Sequence, residues 1–237
     1  MGSTRLPGKV MLPLLGEPIL THVMRRAGRA RRLDACVVAT STSPEDDAIA
    51  ELAAREGWPC ERGSLDDLLD RYVMAARAQR AKVVVRITSD CPLIDPDVID
   101  QTIASFEGGA CDYASTALEP RSLPRGIDVE VMSSAALERA WREDDDPAWR
   151  EHATPYIYRH PERFRICRVG FDEDHSGHRW TVDTPEDLEL VRRIYDAFGR
   201  DDFTWREVLA LVEAHPEWED VNRHVVQKTV PPAAAGS

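Results

Sequence analysis

Apolar positions along this chain follow two periods in alternation. Short apolar runs of the buried-strand type occur at 33–40, with Ala35, Cys36, Val37, Val38 and Ala39 in succession, at 58–61, and at 82–88, which reads KVVVRIT. Between them lie stretches whose apolar residues share one helical face: 18–30 (Ile19, Leu20, Val23, Met24), 43–55, 65–79 and 96–106. Ser43-Pro44-Glu45-Asp46 has the chemistry of a helix start, with proline at the first helical position and acids in the first turn. Strands that alternate with helices of this length mark parallel βαβ units, so the predicted class is α/β.

The rhythm changes after Asp112. Residues 126–131, GIDVEV, alternate strictly and predict a half-exposed strand, with a helix over 134–142 behind it. Such an antiparallel insertion suits a substrate pocket or the face of a two-fold dimer, and a homodimer is expected. Further strands are predicted at 163–169 and 179–182, and amphipathic helices at 185–198 and 204–214. One domain is expected over 1–230, with a disordered tail at 231–237, PPAAAGS.

At 237 residues, 43% of them hydrophobic, the chain can bury one substantial core. A formal charge of -12 argues against nucleic acid, whose binders present a basic stripe to phosphates. It does not exclude a small anionic substrate, because local cations decide what a cleft binds. Five cysteines with no CxxC pair, no apolar run of membrane length and no signal-like start lead us to expect a reduced, cytoplasmic protein.

Three segments carry candidate chemistry. Ser3-Thr4-Arg5-Leu6-Pro7-Gly8-Lys9 offers flexible backbone, a hydroxyl and two cations, which suits a loop around a polyphosphate and equally suits a solvated turn. It is no Walker A loop, since Pro7 replaces the second glycine and Val10 the hydroxyl residue after the lysine. Asp90 follows a strongly apolar strand, at the kind of carboxyl end where doubly wound sheets collect ligands. Asp183 closes the run RWTVD just before Pro185; its bland reading is a helix cap. Two carboxylates at strand ends favour a shared Mg²⁺, which takes oxygen ligands and substrate phosphates.

STRLPGK, VVATSTSPEDD, RGSLDDLLDRY, RITSDCPLIDPDVID, GIDVEV, REHATPYIYRHPE and RWTVDTPEDLELV, in this order and spacing, resemble the cytidylyltransferases of the spore-coat polysaccharide type. That family is similar to the enzymes that make CMP-activated nonulosonic acids and CMP-Kdo. The resemblance implies a three-layer α/β/α nucleotide-diphospho-sugar transferase fold, Rossmann-like, with a small antiparallel insertion. It also implies an enzyme that moves CMP from CTP to an acidic sugar, phosphate or phosphonate acceptor and releases pyrophosphate. Arg5 and Lys9 match positions that grip the CTP phosphates, and Ser3 one that contacts the nucleotide. Thr40 and Ser41, with Arg62, Gly63 and Ser64, match segments lining the cytosine and ribose pocket. Asp90 and Asp183 match the carboxylates that hold Mg²⁺.

Arg121, Arg125, Asp128, Arg150 and His152 are the candidate acceptor contacts, with surface or dimer salt bridges and a helix-start histidine as the plain alternatives. Members of the family carry an apolar strand ending in Gln-Ala-Arg before the Met-Gly-Ser-Thr segment. The expectation is that such a strand, internal to the sheet, lies upstream of Met1 in the full reading frame. Ser89 stands where relatives often have glycine. Two rivals remain: a metal-dependent glycosyltransferase using Asp144-Asp145-Asp146 or Asp172-Glu173-Asp174 as its DxD motif, both expected in exposed connections, and a non-catalytic relative.

Overall fold

Val131 and Met132 are neighbours on one strand, yet they enter different cores. That alternation, the two-residue period of a pleated strand, fixes the layers of the molecule. The computed structural model describes residues 2–228; the segment 231–237, predicted to be disordered, lies outside them.

A short hairpin, β1 (Pro13–Leu14) and β2 (Glu17–Pro18), leads into α1 (Ile19–Ala27). Then come β3 (Val38–Ser41), a 3-10 turn running into α2 (Asp47–Glu56), β4 (Cys60–Gly63), α3 (Leu68–Ala78), β5 (Val83–Arg86) and α4 (Pro96–Gly108). The second half holds β6 (Tyr113–Ser115), β7 (Glu130–Ser133), α5 (Ser134–Glu143), α6 (Pro147–Arg150), α7 (Pro155–Arg159), β8 (Ile166–Arg168), α8 (Pro185–Phe198) and α9 (Trp205–Ala214). The predicted helices are all present, and α8 has the predicted bounds, because Thr184 and Asp187 close a capping box at one end and Gly199 turns left-handed at the other.

β3 and β4 pair in parallel, and a four-stranded sheet has the order β5-β7-β6-β8. β7 runs antiparallel to both β5 and β6, and β6 runs parallel to β8. β3 and β5 each bond a strand on one side, and the two sheets share no ladder. Ala114, Val129 and Val131 face a large core with residues of α1, α4, α8 and α9. Tyr113 and Met132 face a second core with α3, α5 and α7. Helices therefore cover both faces, giving the three-layer α/β/α fold.

Several strand expectations need correction. The runs at 33–40 and 82–88 are not buried throughout: Ala35 is exposed and precedes β3, and β5 lies at the sheet edge with Val83 exposed and its other residues half-buried. Residues 126–131 are not half-exposed: Ile127, Val129 and Val131 are fully buried and Glu130 is buried, because β7 lies inside the sheet with helices on both sides. Val129 and Val131 offer no dimer face. Residues 179–182 form no strand; a single parallel bridge joins Arg179 to Arg125. The segment reads as a strand because Trp180 and Val182 are both fully buried, but it crosses the strand ends instead of joining the sheet.

Parallel pairing of Tyr113 with Ile166 brings Cys111 and Cys167 together as a disulfide, Cα to Cα 6.0 Å, although 56 residues separate them in sequence. The expectation that all five cysteines are reduced does not hold for this pair; Cys36, Cys60 and Cys91 are free thiols. No helix among the described residues is long and apolar enough to cross a membrane.

Candidate active site

β5 ends at Arg86 and delivers Asp90 four residues later, beside the crossing segment. The backbone holds this junction: Val182 N–H donates to the Asp90 carbonyl at 2.8 Å, Trp180 N–H to the Arg125 carbonyl at 2.7 Å, and Arg125 N–H to the His178 carbonyl at 3.1 Å. Only glycine fits at 126. Its φ is 108°, and a Cβ there would meet Trp180 C and Thr181 N at 2.5 Å.

The N-terminal loop closes on this junction. Lys9 Nζ donates to Asp90 Oδ2 at 2.6 Å and to Asp183 Oδ1 at 2.8 Å, and Arg5 reaches Asp183 Oδ2 at 3.0 Å. Burial works to lower the Lys9 pKa, and the two carboxylates outweigh it, so the ammonium is held charged. Burial likewise works to raise the Asp183 pKa, but Lys9, Arg179 and Arg5 bring it below the usual carboxylate range. Asp183 is not a helix cap: Thr184 takes that role, which leaves the Asp183 carboxylate to the cations.

Arg179 is a site residue that reading along the sequence did not single out. It donates to Asp183 Oδ2 at 2.9 Å and grips Asp187 with two bonds of 2.9 Å. Asp187 also accepts from the Asp183 backbone N–H at 3.0 Å, so the capping box of α8 fixes both the angle of Asp183 and its arginine. The signal was present as an aspartate three residues after a capping threonine, preceded by RWTVD. A cavity of about 300 Å³ opens beside Arg179, lined also by Arg125, His178, Asn222 and Gln227.

The other candidates divide. Ser3 Oγ accepts from Leu6 N–H at 3.3 Å and so shapes the N-terminal loop. Thr40 and Ser41 are buried, and both hydroxyls donate to Asp46 Oδ2, at 2.9 and 2.6 Å. Arg62 is bonded to the Ser41 carbonyl and to Asp47. The Gly63 carbonyl accepts from Thr42 N–H, and the Ser64 carbonyl is gripped by Arg71. The side chains of this segment are thus taken up by one another and by the loops around them, and what it leaves open is backbone and loop shape.

Among the acceptor candidates, Arg121 pairs with Asp128 at the edge of the core, and Arg125 lies 3.9 Å from Glu119. Arg150 is occupied, with Asp67 at 2.7 Å and the carbonyls of Trp141 and Asp144 at 3.0 and 2.8 Å. His152 is half-buried, and its ring makes no hydrogen bond or ion pair among the described residues. The DxD candidates serve local structure. Asp144 is buried, contrary to expectation, and bonds the Asp146 N–H; Asp146 caps α6; Asp174 bonds the Ser176 N–H. Cys91 is buried, and burial, then Asp90, push its thiol well above its ordinary pKa, which makes it inert.

A three-layer α/β/α domain that gathers two carboxylates and three cations beside its strand ends has a place and the charges for a polyphosphate, and the proteins it matches put it in the class of the nucleotidyltransferases. The family profile described as cytidylyltransferase matches residues 1–213. The chain is 34% identical over 226 residues to the spore coat polysaccharide biosynthesis protein SpsF of Bacillus subtilis, covering 92% of each. It is 30% identical to the 3-deoxy-manno-octulosonate cytidylyltransferase of an Anaeromyxobacter species, over 83% of this chain and 94% of that one. A solved cytidylyltransferase of Leptospira borgpetersenii superposes with a TM-score of 0.89 at 30% identity, covering 97% of this chain and 95% of the other. The chain belongs to the cytidylyltransferase family.

Proposed function

We propose that this enzyme passes CMP from CTP to an acidic sugar, with release of pyrophosphate, in the synthesis of a surface polysaccharide or glycoconjugate. The observation that carries the reading is Lys9, clasped by Asp90 and Asp183 at the strand ends. The names of the two relatives, one of spore-coat polysaccharide synthesis and one of 3-deoxy-manno-octulosonate activation, support the acceptor class.

The reaction asks an acceptor oxygen to attack the α-phosphorus in line while pyrophosphate leaves. Negative charge grows on the α-phosphoryl oxygens and the leaving group, and fixed cations nearby lower that barrier. Lys9 and Arg5 are those cations, with Arg179 holding Asp183 in place. Thr40, Ser41 and the turn of Arg62, Gly63 and Ser64 form the base and ribose side of the pocket. In this reading Arg121, Arg125, Asp128 and His152 are the acceptor contacts, and Arg150, already taken by Asp67 and two carbonyls, braces them.

Mg²⁺ fits the donors present. Asp90 Oδ2 and Asp183 Oδ1 converge on one positive centre, as two hard oxygen ligands. No cluster of three or more His, Cys, Asp or Glu among the described residues could hold a metal alone, so substrate phosphates would complete the shell. When bound there, the ion would supply positive charge to the phosphate oxygens.

Pyrophosphate release by the full-length protein tests the reading, with CTP, ATP, GTP and UTP each offered with Mg²⁺ and a panel of acidic sugars and phosphonates. Release that needs CTP and an acidic sugar is expected. Release from a phosphonate alone would move the acceptor class, and a nucleoside diphosphate product would favour a glycosyltransferase.

A further inference from the structure

Residues 151–154 join α6 to α7 and carry backbone geometry that no local sequence rule asks for. Ala153 is buried at φ 69°, and Thr154 N–H donates to the His152 carbonyl at 3.0 Å. Residues 152–154 thus close a γ-turn of the positive-φ kind, which is rare and strained for a residue with a Cβ. Such a turn persists only where its surroundings hold it.

The holding groups are buried. Thr154 is the N-cap of α7, but its hydroxyl makes no cap bond; it donates to Glu130 Oε1 at 2.7 Å instead. The Tyr113 hydroxyl donates to the same oxygen at 2.5 Å, and Arg86, the cross-strand partner of Glu130, pairs with the other. The Arg86 guanidinium lies 5.9 Å from the Tyr72 ring centre, so the chain of contacts runs from α3 and the central sheet to the turn. The His152 ring, at the head of that turn, makes no hydrogen bond or ion pair among the described residues.

We propose that Thr154 and Glu130 are positioning residues that hold the Ala153 turn in its strained form and so fix the His152 imidazole toward the acceptor sugar. The direction of the ring rests on the proposed acceptor; the positioning of the turn does not. Burial first, then the charges of Arg86 and Arg159, lower the His152 pKa against the pull of Glu151. A neutral ring has one N–H donor and one acceptor nitrogen, a match for a sugar hydroxyl. A ring held in place loses less freedom when the sugar binds than one that swings.

The test reads the His152 ring by NMR in the full-length protein, its Cε1–H signal assigned by loss in His152→Gln. Thr154→Val removes the hydroxyl at constant shape and Thr154→Ser retains it. The valine variant should shift or broaden the His152 signal while leaving those of His22 and His215 in place, and the serine variant should restore it. Thr154→Ala gives the same readout if the valine variant does not fold. An unchanged His152 signal in the hydroxyl-free variant overturns the inference. Addition of 3-deoxy-manno-octulosonate with CTP should move the same signal, with apparent affinity about tenfold weaker in Thr154→Val. A wild-type signal that moves with Thr154→Val but not with this sugar would leave the positioning intact and remove the acceptor reading for it.

Discussion

Two ion-pair clusters lie along β5 and its continuation, one at Arg86 and one at Asp90, and they do different work. Arg86 and Glu130 face each other across β5 and β7 in the second core, and Glu130 takes three donors from strand, sheet neighbour and turn. Lys9, Asp90 and Asp183 meet at the strand ends, where each side chain keeps 14 to 22% of its surface open. The first set is closed by groups that have no substitute once removed. In the second, three of the charges have a spare partner: Lys9 has two carboxylates, Asp183 three cations, and Arg179 also holds Asp187. A pair whose partners can be exchanged for a ligand is suited to a site; one that cannot exchange is suited to holding a sheet.

The largest effect should come from breaking the closed pair. Burial works to lower the Arg86 pKa and Glu130 more than offsets it; an arginine is basic enough to keep its charge without that partner, so removing the carboxylate strands a buried cation. Glu130→Ala should cost about 3–5 kcal/mol in urea unfolding, and a double variant, Arg86→Met with Glu130→Leu, should recover most of it. A single-variant cost under about 1 kcal/mol would erase the contrast between the clusters.

The open cluster should behave in the opposite way. Asp183→Asn should slow pyrophosphate release about a hundredfold, roughly 3 kcal/mol of transition-state stabilisation, while the unfolding midpoint moves little. Lys9 keeps Asp90 and Arg179 keeps Asp187, so no buried charge is stranded. Equal losses of rate and stability would place Asp183 with Glu130 among the structural groups.

The sequence makes one cluster legible and hides the other. KVVVRIT is apolar enough to mark a strand, although β5 lies at the sheet edge with Val83 exposed and the rest half-buried, and a carboxylate soon after such a strand points to a site or a cap. Asp183 is legible through its capping threonine and Pro185. Glu130 is hidden, because the strict alternation of GIDVEV is the pattern of a strand with one wet face. In the fold both faces are covered, and the charge on the supposed wet face is met by Arg86, 44 residues away in sequence. RWTVD deceives for the opposite reason: Trp180 and Val182 are buried as in a strand, but by a crossing chain whose close approach depends on Gly126. The resemblance of seven ordered segments carried the family and the layers; register across strands and the turn at Ala153 are set by contacts that no single segment contains.

Gly126 sharpens the comparison because it sits between the clusters, linking β7 to the segment that carries Asp183. Gly126→Ala pushes a Cβ into backbone, where no side chain can yield, and should cost about 1–3 kcal/mol with a fall in activity larger than in stability. Parallel measurement of urea unfolding and pyrophosphate release checks it. Loss of stability alone would mean that the crossing segment tolerates displacement without moving Asp183.

The smallest effect tests whether the open side is tied down from the C-terminal end. His178 Nδ1 bonds Glu219 at 2.7 Å, and this bond, against the pull of burial, raises the His178 pKa above its ordinary value of about 6.5. A raised folded-state pKa means that the protonated form is favoured by folding. The contribution is complete below about pH 6.5, the unfolded value, and is lost as pH rises through the folded value. The unfolding midpoint should therefore decline over that window by an amount worth under about 1 kcal/mol, since the pair is partly solvated. His178→Gln should flatten the decline and leave the midpoint above the window nearly unchanged. A decline that persists in the variant would assign it to another group and leave the segment before Asp183 anchored by Arg179 and Asp187 without help from Glu219.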